Sequence, residues 1–278
     1  IGSWLKDRRN RDKIIIASKI ASKSTGLKWI REGSKNLGFD KKNLNKAVDD
    51  SLKRLKTDYI DLYQLHWPER NVPLFGKLDF DYDPNDSHWN GLEQVLENLK
   101  ELIKAGKIRY LGLSNETPWG TMKFLEIAKK MNLPRMLSIQ NAYNLVNRVF
   151  DIANSEVSIR EQCGLLAYSP LAGGRLSGKY MNTQQPKNAR YTLWPSRFSR
   201  HHNKRGEIAI EKYVKLAEEY NIAPSTFANA FVNDRPFVTS NIIGATTIDQ
   251  LKENIDSIDI TISKEILEEI ENIHLSDP

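Results

Sequence analysis

The chain has 278 residues, 40% of them hydrophobic and 27% charged, enough for a sizeable core in one large domain or two small ones. Its 41 Lys and Arg against 35 Asp and Glu give a net charge of +6. The cations are mostly interleaved with acids, as in Glu211-Lys212, which is the pattern of solvated helix faces rather than of a nucleic-acid surface. No apolar run approaches the ~20 residues of a membrane helix, no signal peptide opens the sequence, and a single cysteine, Cys163, excludes an internal disulfide and a cysteine-based zinc cage. The expectation is a soluble cytoplasmic protein with neither nucleic-acid nor membrane partners.

The opening Ile1-Gly2-Ser3-Trp4-Leu5-Lys6 reads as the end of a helix, so a preceding segment is expected. Nearly continuous apolar runs then predict strands at 13–19, 59–66, 108–114, 136–141, 165–169 and 241–245, as for parallel strands buried on both faces. Helical periodicity falls between them, at about 40–56, 89–105, 117–131, 152–162, 207–221 and 248–257, with a last helix near 263–273. Two long connections, 68–88 and 171–204, exceed ordinary loop lengths and are expected to shape a site. Around the first gather Trp67, Phe75, Phe80, Tyr82 and Trp89. In and just after the second lie Arg190, Arg197, Arg200, Lys204 and Arg205, for which a phosphate-bearing ligand and a mobile basic loop are both adequate explanations.

No Pro/Gly-rich linker divides the β-α alternation, which predicts one α/β domain over 1–278. An open nucleotide-binding sheet should carry a Gly-x-Gly-x-x-Gly turn after its first strand, and none is present. Polar or ionisable residues instead end successive strands: Lys19, His66, Ser114-Asn115, Gln140-Asn141, Tyr168-Ser169 and Gly244-Ala245-Thr246. Chemistry at the carboxyl ends of strands is the mark of a (β/α)8 barrel, and that is the fold the sequence predicts.

Lys19 is either a snorkelling lysine at a strand end or a lysine that lowers the pKa of a neighbouring proton-transferring group. His66 ends an apolar strand, where its ring would face a site mouth, and no second histidine stands at metal-ligand spacing, so no metal is expected. Ser114-Asn115 and Gln140-Asn141 offer neutral donors and acceptors suited to an amide, or serve as caps and turns. Tyr168 presents a flat face for an aromatic ring, and Ser169-Pro170-Leu171-Ala172-Gly173-Gly174 lets the backbone approach a ligand closely. Gly244-Ala245-Thr246-Thr247 runs into a helix carrying Gln250, Glu253 and Asn254, which is either an anion site at a helix start or an ordinary N-cap by Thr246 or Thr247.

With these motifs the chain resembles the aldo-keto reductases, in particular their bacterial Tas-type branch and the related potassium-channel β-subunit branch. The resemblance rests on Ile16-Ala17-Ser18-Lys19, Asp58-Tyr59-Ile60-Asp61-Leu62-Tyr63, Leu65-His66-Trp67-Pro68, Gly106-Lys107-Ile108-Arg109-Tyr110-Leu111-Gly112, Gln140-Asn141-Ala142-Tyr143-Asn144, Tyr168-Ser169-Pro170-Leu171, Gly178-Lys179-Tyr180 and Gly244-Ala245-Thr246-Thr247, in family order along nearly the whole chain. It implies a (β/α)8 barrel that binds NADPH and reduces small aldehydes or ketones to alcohols, with Lys19 and His66 as catalytic residues. It further implies that Ser114, Asn115 and Gln140 hold the nicotinamide amide, Tyr168 stacks on the ring, Ser169, Leu171, Gly173 and Lys179 line the diphosphate, and Pro170 also binds the cofactor. Arg190, Gly244, Thr246 and Gln250 would address the 2′-phosphate side, and Glu253 and Asn254 the adenine. The family's proton-donating tyrosine and its aspartate have no counterpart here. Tyr59 and Tyr63 do not match that motif, so the first two β-α units are expected to be missing and the sequence to be a fragment. An NADP(H)-binding regulatory or degenerate protein with little turnover is the alternative.

Overall fold

In the computed structural model, residues 1–24, 29–31, 37–77, 79–87, 91–195 and 203–277 are described. His88, Trp89, Arg197, Arg200 and His201-His202, all singled out in the sequence, lie outside them. The chain divides into two compact units, Ile1–Gln140 and Asn141–Pro278.

The first unit begins with α1 (Gly2–Arg8), a helix as the sequence suggested, followed by β1 (Ala17–Ile20), α2 (Lys41–Leu55), β2 (Ile60–Leu65), α3 (Leu92–Lys104), β3 (Ile108–Ser114), α4 (Pro118–Lys130) and β4 (Met136–Gln140). Its strands pair in parallel in chain order, with Lys19 opposite Gln64 and Gln64 opposite Gly112. Local signals set the helix starts. The Asp40 side chain accepts from the Asn43 N–H to cap α2, and the Thr117 side chain accepts from Gly120, with Pro118 pre-set for the first helical position of α4. Leu96, Leu99 and Leu102 of α3 and Phe124 of α4 join Ile60, Leu65, Ile108, Leu111 and Leu113 in the buried core. Each such side chain contributes about 1.5–3 kcal/mol.

The first strand is shorter than the apolar run suggested. Arg11–Lys13 forms a 3-10 turn, and Ile15 is 84% exposed, so Ile14-Ile15-Ile16 leads into the sheet rather than belonging to it.

The second unit contains α5 (Val149–Ile152), α6 (Asn154–Arg160), β5 (Gly164–Tyr168), α7 (Arg190–Leu193), α8 (Lys204–Glu219), α9 (Pro224–Asn233), β6 (Val238–Ile242), α10 (Ile248–Asp256) and α11 (Lys264–Ser276). β5 and β6 pair in parallel, Tyr168 opposite Ile242. Two differences from the sequence reading matter. β6 lies at 238–242 rather than 241–245, so Gly244-Ala245-Thr246 belongs to the loop after the strand. The sequence reading missed α9, in which Ser225 to Val232 are all buried, the polar Ser225, Thr226 and Asn229 among them, so its polar residues do not mark a solvent face.

Candidate functional site

At the carboxyl ends of β1 to β4 the first unit assembles Lys19, His66, Ser114, Asn115 and Gln140. Lys19 is half-buried in β1 and has no hydrogen-bond or ion-pair partner among the described residues, and burial pushes its pKa below the ordinary lysine value. His66 follows β2 directly. Its N–H donates to the Ile20 carbonyl at 3.0 Å, its own carbonyl accepts from Asn115 Nδ2 at 2.8 Å, and its ring lies 4.8 Å from that of Trp67. Burial first, and then the charge of Lys19, lowers the imidazole to about 4. At neutral pH the ring is therefore neutral, with one N–H to donate and one lone pair to accept.

Ser114 and Asn115 tie neighbouring strand ends together. Ser114 Oγ donates to the Gln140 carbonyl at 2.8 Å, the Asn115 N–H donates to the same carbonyl at 3.0 Å, and Asn115 adopts a left-handed φ of 52°. That conformation is tolerated by asparagine and turns the chain sharply out of β3.

In the second unit β5 ends at Tyr168, whose N–H donates to the Asn141 carbonyl, and the Ser169 carbonyl accepts from Asn144 Nδ2 at 2.8 Å. Ser169, Ala172, Gly173 and Gly174 all have positive φ. A Cβ on Gly173 would stand 2.7 Å from Tyr191 Oη, and at φ of 71° and 99° both Gly173 and Gly174 hold a backbone shape that favours glycine.

This turn forms one wall of a cleft of about 590 Å3. Ser169, Pro170, Leu171, Gly173, Lys179 and Arg190 line it from the β5 side, and Gly244, Thr246, Gln250, Glu253 and Asn254 from the start of α10. Every second-unit residue to which the resemblance gives a cofactor role is thus gathered here except Tyr168, which sits half-buried one residue before the lining begins.

Burial and the nearby charge of Arg190 both lower the pKa of Lys179, which has no carboxylate partner among the described residues. Two crowded cations over glycine backbone are a donor set for an anionic, phosphate-like group. At the start of α10 the N-cap is Thr247, its side chain accepting from the Gln250 N–H, while the Thr246 N–H and hydroxyl both reach Gln250 Oε1 at 3.0 Å. An anion at this helix end must therefore displace the Gln250 carbonyl oxygen.

The sequence did not point to Ser225 and Asn229, which also line the cleft and lie on the unrecognised α9. Asn229 is wholly buried. It donates to Asn254 Oδ1 and accepts from Asn241 Nδ2, both at 3.0 Å, and Asn254 in turn donates to the Gly244 carbonyl. This asparagine relay fixes the loop after β6 against α9 and α10.

Of the aromatics expected around the long connection after β2, Trp67 meets Phe75 edge-on at 6.1 Å, while Phe75, Phe80 and Tyr82 are exposed. Tyr59 lies between the guanidinium groups of Arg11 and Arg109, at 3.7 and 3.9 Å, and Tyr63 is buried on the opposite face of β2 from Gln64 and His66. Among the described residues no group of three or more His, Cys, Asp or Glu is placed to hold a metal, and no helix is long and apolar enough to cross a membrane.

The Aldo/keto reductase family model matches residues 1–274. Protein tas of Escherichia coli (strain K12) is 46% identical over 275 residues, 99% of this chain and 78% of that protein. An aldo-keto reductase of Babesia bovis is 42% identical over 259 residues, 87% of this chain and 88% of that protein. The uncharacterized oxidoreductase YrpG of Bacillus subtilis (strain 168) is 27% identical over 275 residues, 98% of this chain and 76% of that protein. Because the family match begins at the first residue, it gives no support to the expectation that the N-terminal part of the family domain is missing.

Proposed function

The chain belongs to the aldo/keto reductase family, and from that premise we propose that this oxidoreductase is NADPH-dependent and reduces the carbonyl of small aldehydes or ketones to alcohols. The observation that carries the reading is the cleft of the second unit, where Lys179 and Arg190 meet the Thr246 turn above glycine backbone. The fold of this reading is the family's (β/α)8 barrel.

NADPH, when bound, supplies the hydride. The chain's own part is to hold and polarise. Ser169, Pro170, Leu171, Gly173 and Lys179 take the diphosphate, and Arg190, Gly244, Thr246 and Gln250 take the 2′-phosphate side. Glu253 and Asn254 meet the adenine, Ser114, Asn115 and Gln140 take the carboxamide, and Tyr168 offers its face to the ring. His66, neutral at physiological pH, donates its N–H to the substrate oxygen and so orients the carbonyl and draws charge onto that oxygen. Lys19 stabilises the ionised form of the proton donor by its positive charge. That donor is the family's tyrosine. Tyr59 lies between two guanidinium groups and Tyr63 is buried on the opposite face of β2 from His66, so the reading gives that role to neither.

The test is titration of the chain with NADPH and NADH, followed by tryptophan fluorescence. Arg190→Ala should weaken NADPH binding roughly 10- to 100-fold, the equivalent of one charge-assisted hydrogen bond, and leave NADH nearly unchanged. Equal affinity of the unmutated chain for both cofactors would remove the NADPH assignment. A second reading, NADP(H) binding with little turnover, is favoured by the placement of Tyr59 between two arginines and of Tyr63 on the opposite face of β2 from His66. NADPH binding without carbonyl-dependent NADPH oxidation, by a protein that includes any segment ahead of Ile1, identifies it.

A further inference from the structure

Beside Lys19 on the next strand, and one row below His66, begins a buried polar pair that the proposed chemistry does not use. Gln64 is fully buried, and neither Nε2 nor Oε1 has a partner; Ser138 is 8% exposed, and its Oγ has none. The two meet across Gly112. A Cβ built there would stand 2.8 Å from Ser138 Oγ and 3.2 Å from Gln64 Cγ. Leu62 Cδ1, at 3.3 Å, closes the third side, so a side chain at 112 would crowd Ser138 Oγ and the stem of Gln64.

Gln64 occupies the row of Lys19, its register partner on β1, and the face of His66, two residues further along the same strand. Three orphaned polar atoms in one buried place are too costly to be left dry, and internal water is the usual partner of such groups.

We propose that Gln64 and Ser138 form a hydrogen-bonding floor that holds ordered water and, through it, positions the Lys19 ammonium beside His66. Gln64 is then a positioning residue, acting through Lys19 rather than on substrate. The proposal rests on the role given above to Lys19 and His66, but its readout does not require turnover.

The charged surroundings of Lys19 are few among the described residues. β2 presents His66 on the same face, while Asp61 is tied to Arg11 and Arg109 near the opposite strand ends. β3 carries Arg109 in that cluster and an exposed Tyr110, and β4 has no titratable side chain. With no carboxylate at hand among the described residues, neutral acceptors in the floor are what offsets the burial of the ammonium.

The lysines of the whole chain are labelled by 13C reductive methylation, the Lys19 signal is identified by its loss in Lys19→Arg, and its titration is followed by NMR. Gln64→Leu should lower the Lys19 pKa by about one unit, a tenfold shift toward the free amine, because an acceptor is lost from the floor. Gln64→Glu, nearly isosteric, should raise it by about one unit, and Ser138→Ala should lower it by less than Gln64→Leu does. If Gln64→Leu fails to fold, the other two variants decide. An unmoved Lys19 titration in folded Gln64→Glu overturns the proposal, whether or not the chain reduces carbonyls. Absence of turnover with the predicted Lys19 shifts would overturn the reductase reading and leave the floor in place.

Discussion

The two ends of the first unit's strands treat charge in opposite ways. Near the amino ends, Asp61 is saturated: it accepts from the Ile16 N–H at 2.9 Å, from Arg11 at 2.8 Å and from Arg109 at 3.0 Å, and both guanidiniums flank Tyr59. At the carboxyl ends, Lys19 has no partner among the described residues, His66 is held neutral by burial and by Lys19, and the amide of Gln64 goes unanswered. One end spends its polar groups on one another and gains rigidity. The other keeps them available, a local cost that a fold tolerates where a ligand or water completes the set.

Breaking the available end should cost chemistry rather than stability. His66→Ala is expected to lower turnover by roughly 10²- to 10⁴-fold, the range for a positioned acid-base or polarising group, with cofactor affinity and the unfolding midpoint little changed. Steady-state kinetics beside a cofactor titration checks this. Weaker NADPH binding with intact turnover would mean that His66 serves the cofactor instead. The pH profile sharpens the point, because a ring with its pKa near 4 keeps the neutral form that the reading needs until the pH approaches that value.

Breaking the saturated end should do the reverse. Asp61→Asn leaves Arg11 facing a neutral amide in a site where Asp61 is 10% exposed, and is expected to cost about 3 kcal/mol of stability with turnover per folded molecule unchanged. Burial alone would raise the Asp61 pKa, but the Ile16 N–H and the Arg11 and Arg109 charges outweigh it and hold the carboxyl below its ordinary value. The folded chain thus binds fewer protons than the unfolded chain between that lowered value and about 3.9. This contribution is complete above about pH 4 and is lost as the pH falls through the folded value. Urea unfolding between pH 7 and pH 3 should show a steeper acid loss in the unmutated chain than in Asp61→Asn, and parallel curves would contradict the assignment.

The saturated end was only partly visible in the sequence, and for a physical reason. Asp58-Tyr59-Ile60-Asp61 reads as the start of a strand, but the Arg11 that closes the cluster lies 50 residues away in a 3-10 turn, just ahead of the predicted first strand. Strands buried on both faces were legible because their apolar runs are continuous. β6 was displaced by three residues because Thr239, Ser240 and Asn241 interrupt its apolar run while Ile242-Ile243 draws the eye forward. The two walls of the cleft were legible separately, as a glycine-rich turn and a helix start, but only the resemblance joined them, since no periodicity connects Lys179 to Thr246. Ser225 and Asn229 stayed hidden with α9, and Gln64 looked like any strand residue until its burial showed an amide without partners.

The smallest expected effect lies inside the saturated cluster and separates its two arginines. Arg11 also donates to Thr57 Oγ1 and to the Ile14 and Tyr59 carbonyls, and its side chain is 16% exposed. Arg109 reaches Asp61 through one nitrogen, with its side chain 54% exposed. Water and salt screen the second pair, so Arg109→Ala is expected to cost only about 0.5 kcal/mol, a difference that shrinks further in 0.5 M NaCl. Arg11→Ala removes donors from carbonyls as well as from a carboxylate, and its larger cost should persist in salt because those bonds are shielded from solvent. Thermal unfolding of both variants at low and high salt makes the comparison. Equal losses for the two would mean that Tyr59 stacking, which the arginines share, holds this end together rather than the bonds to Asp61.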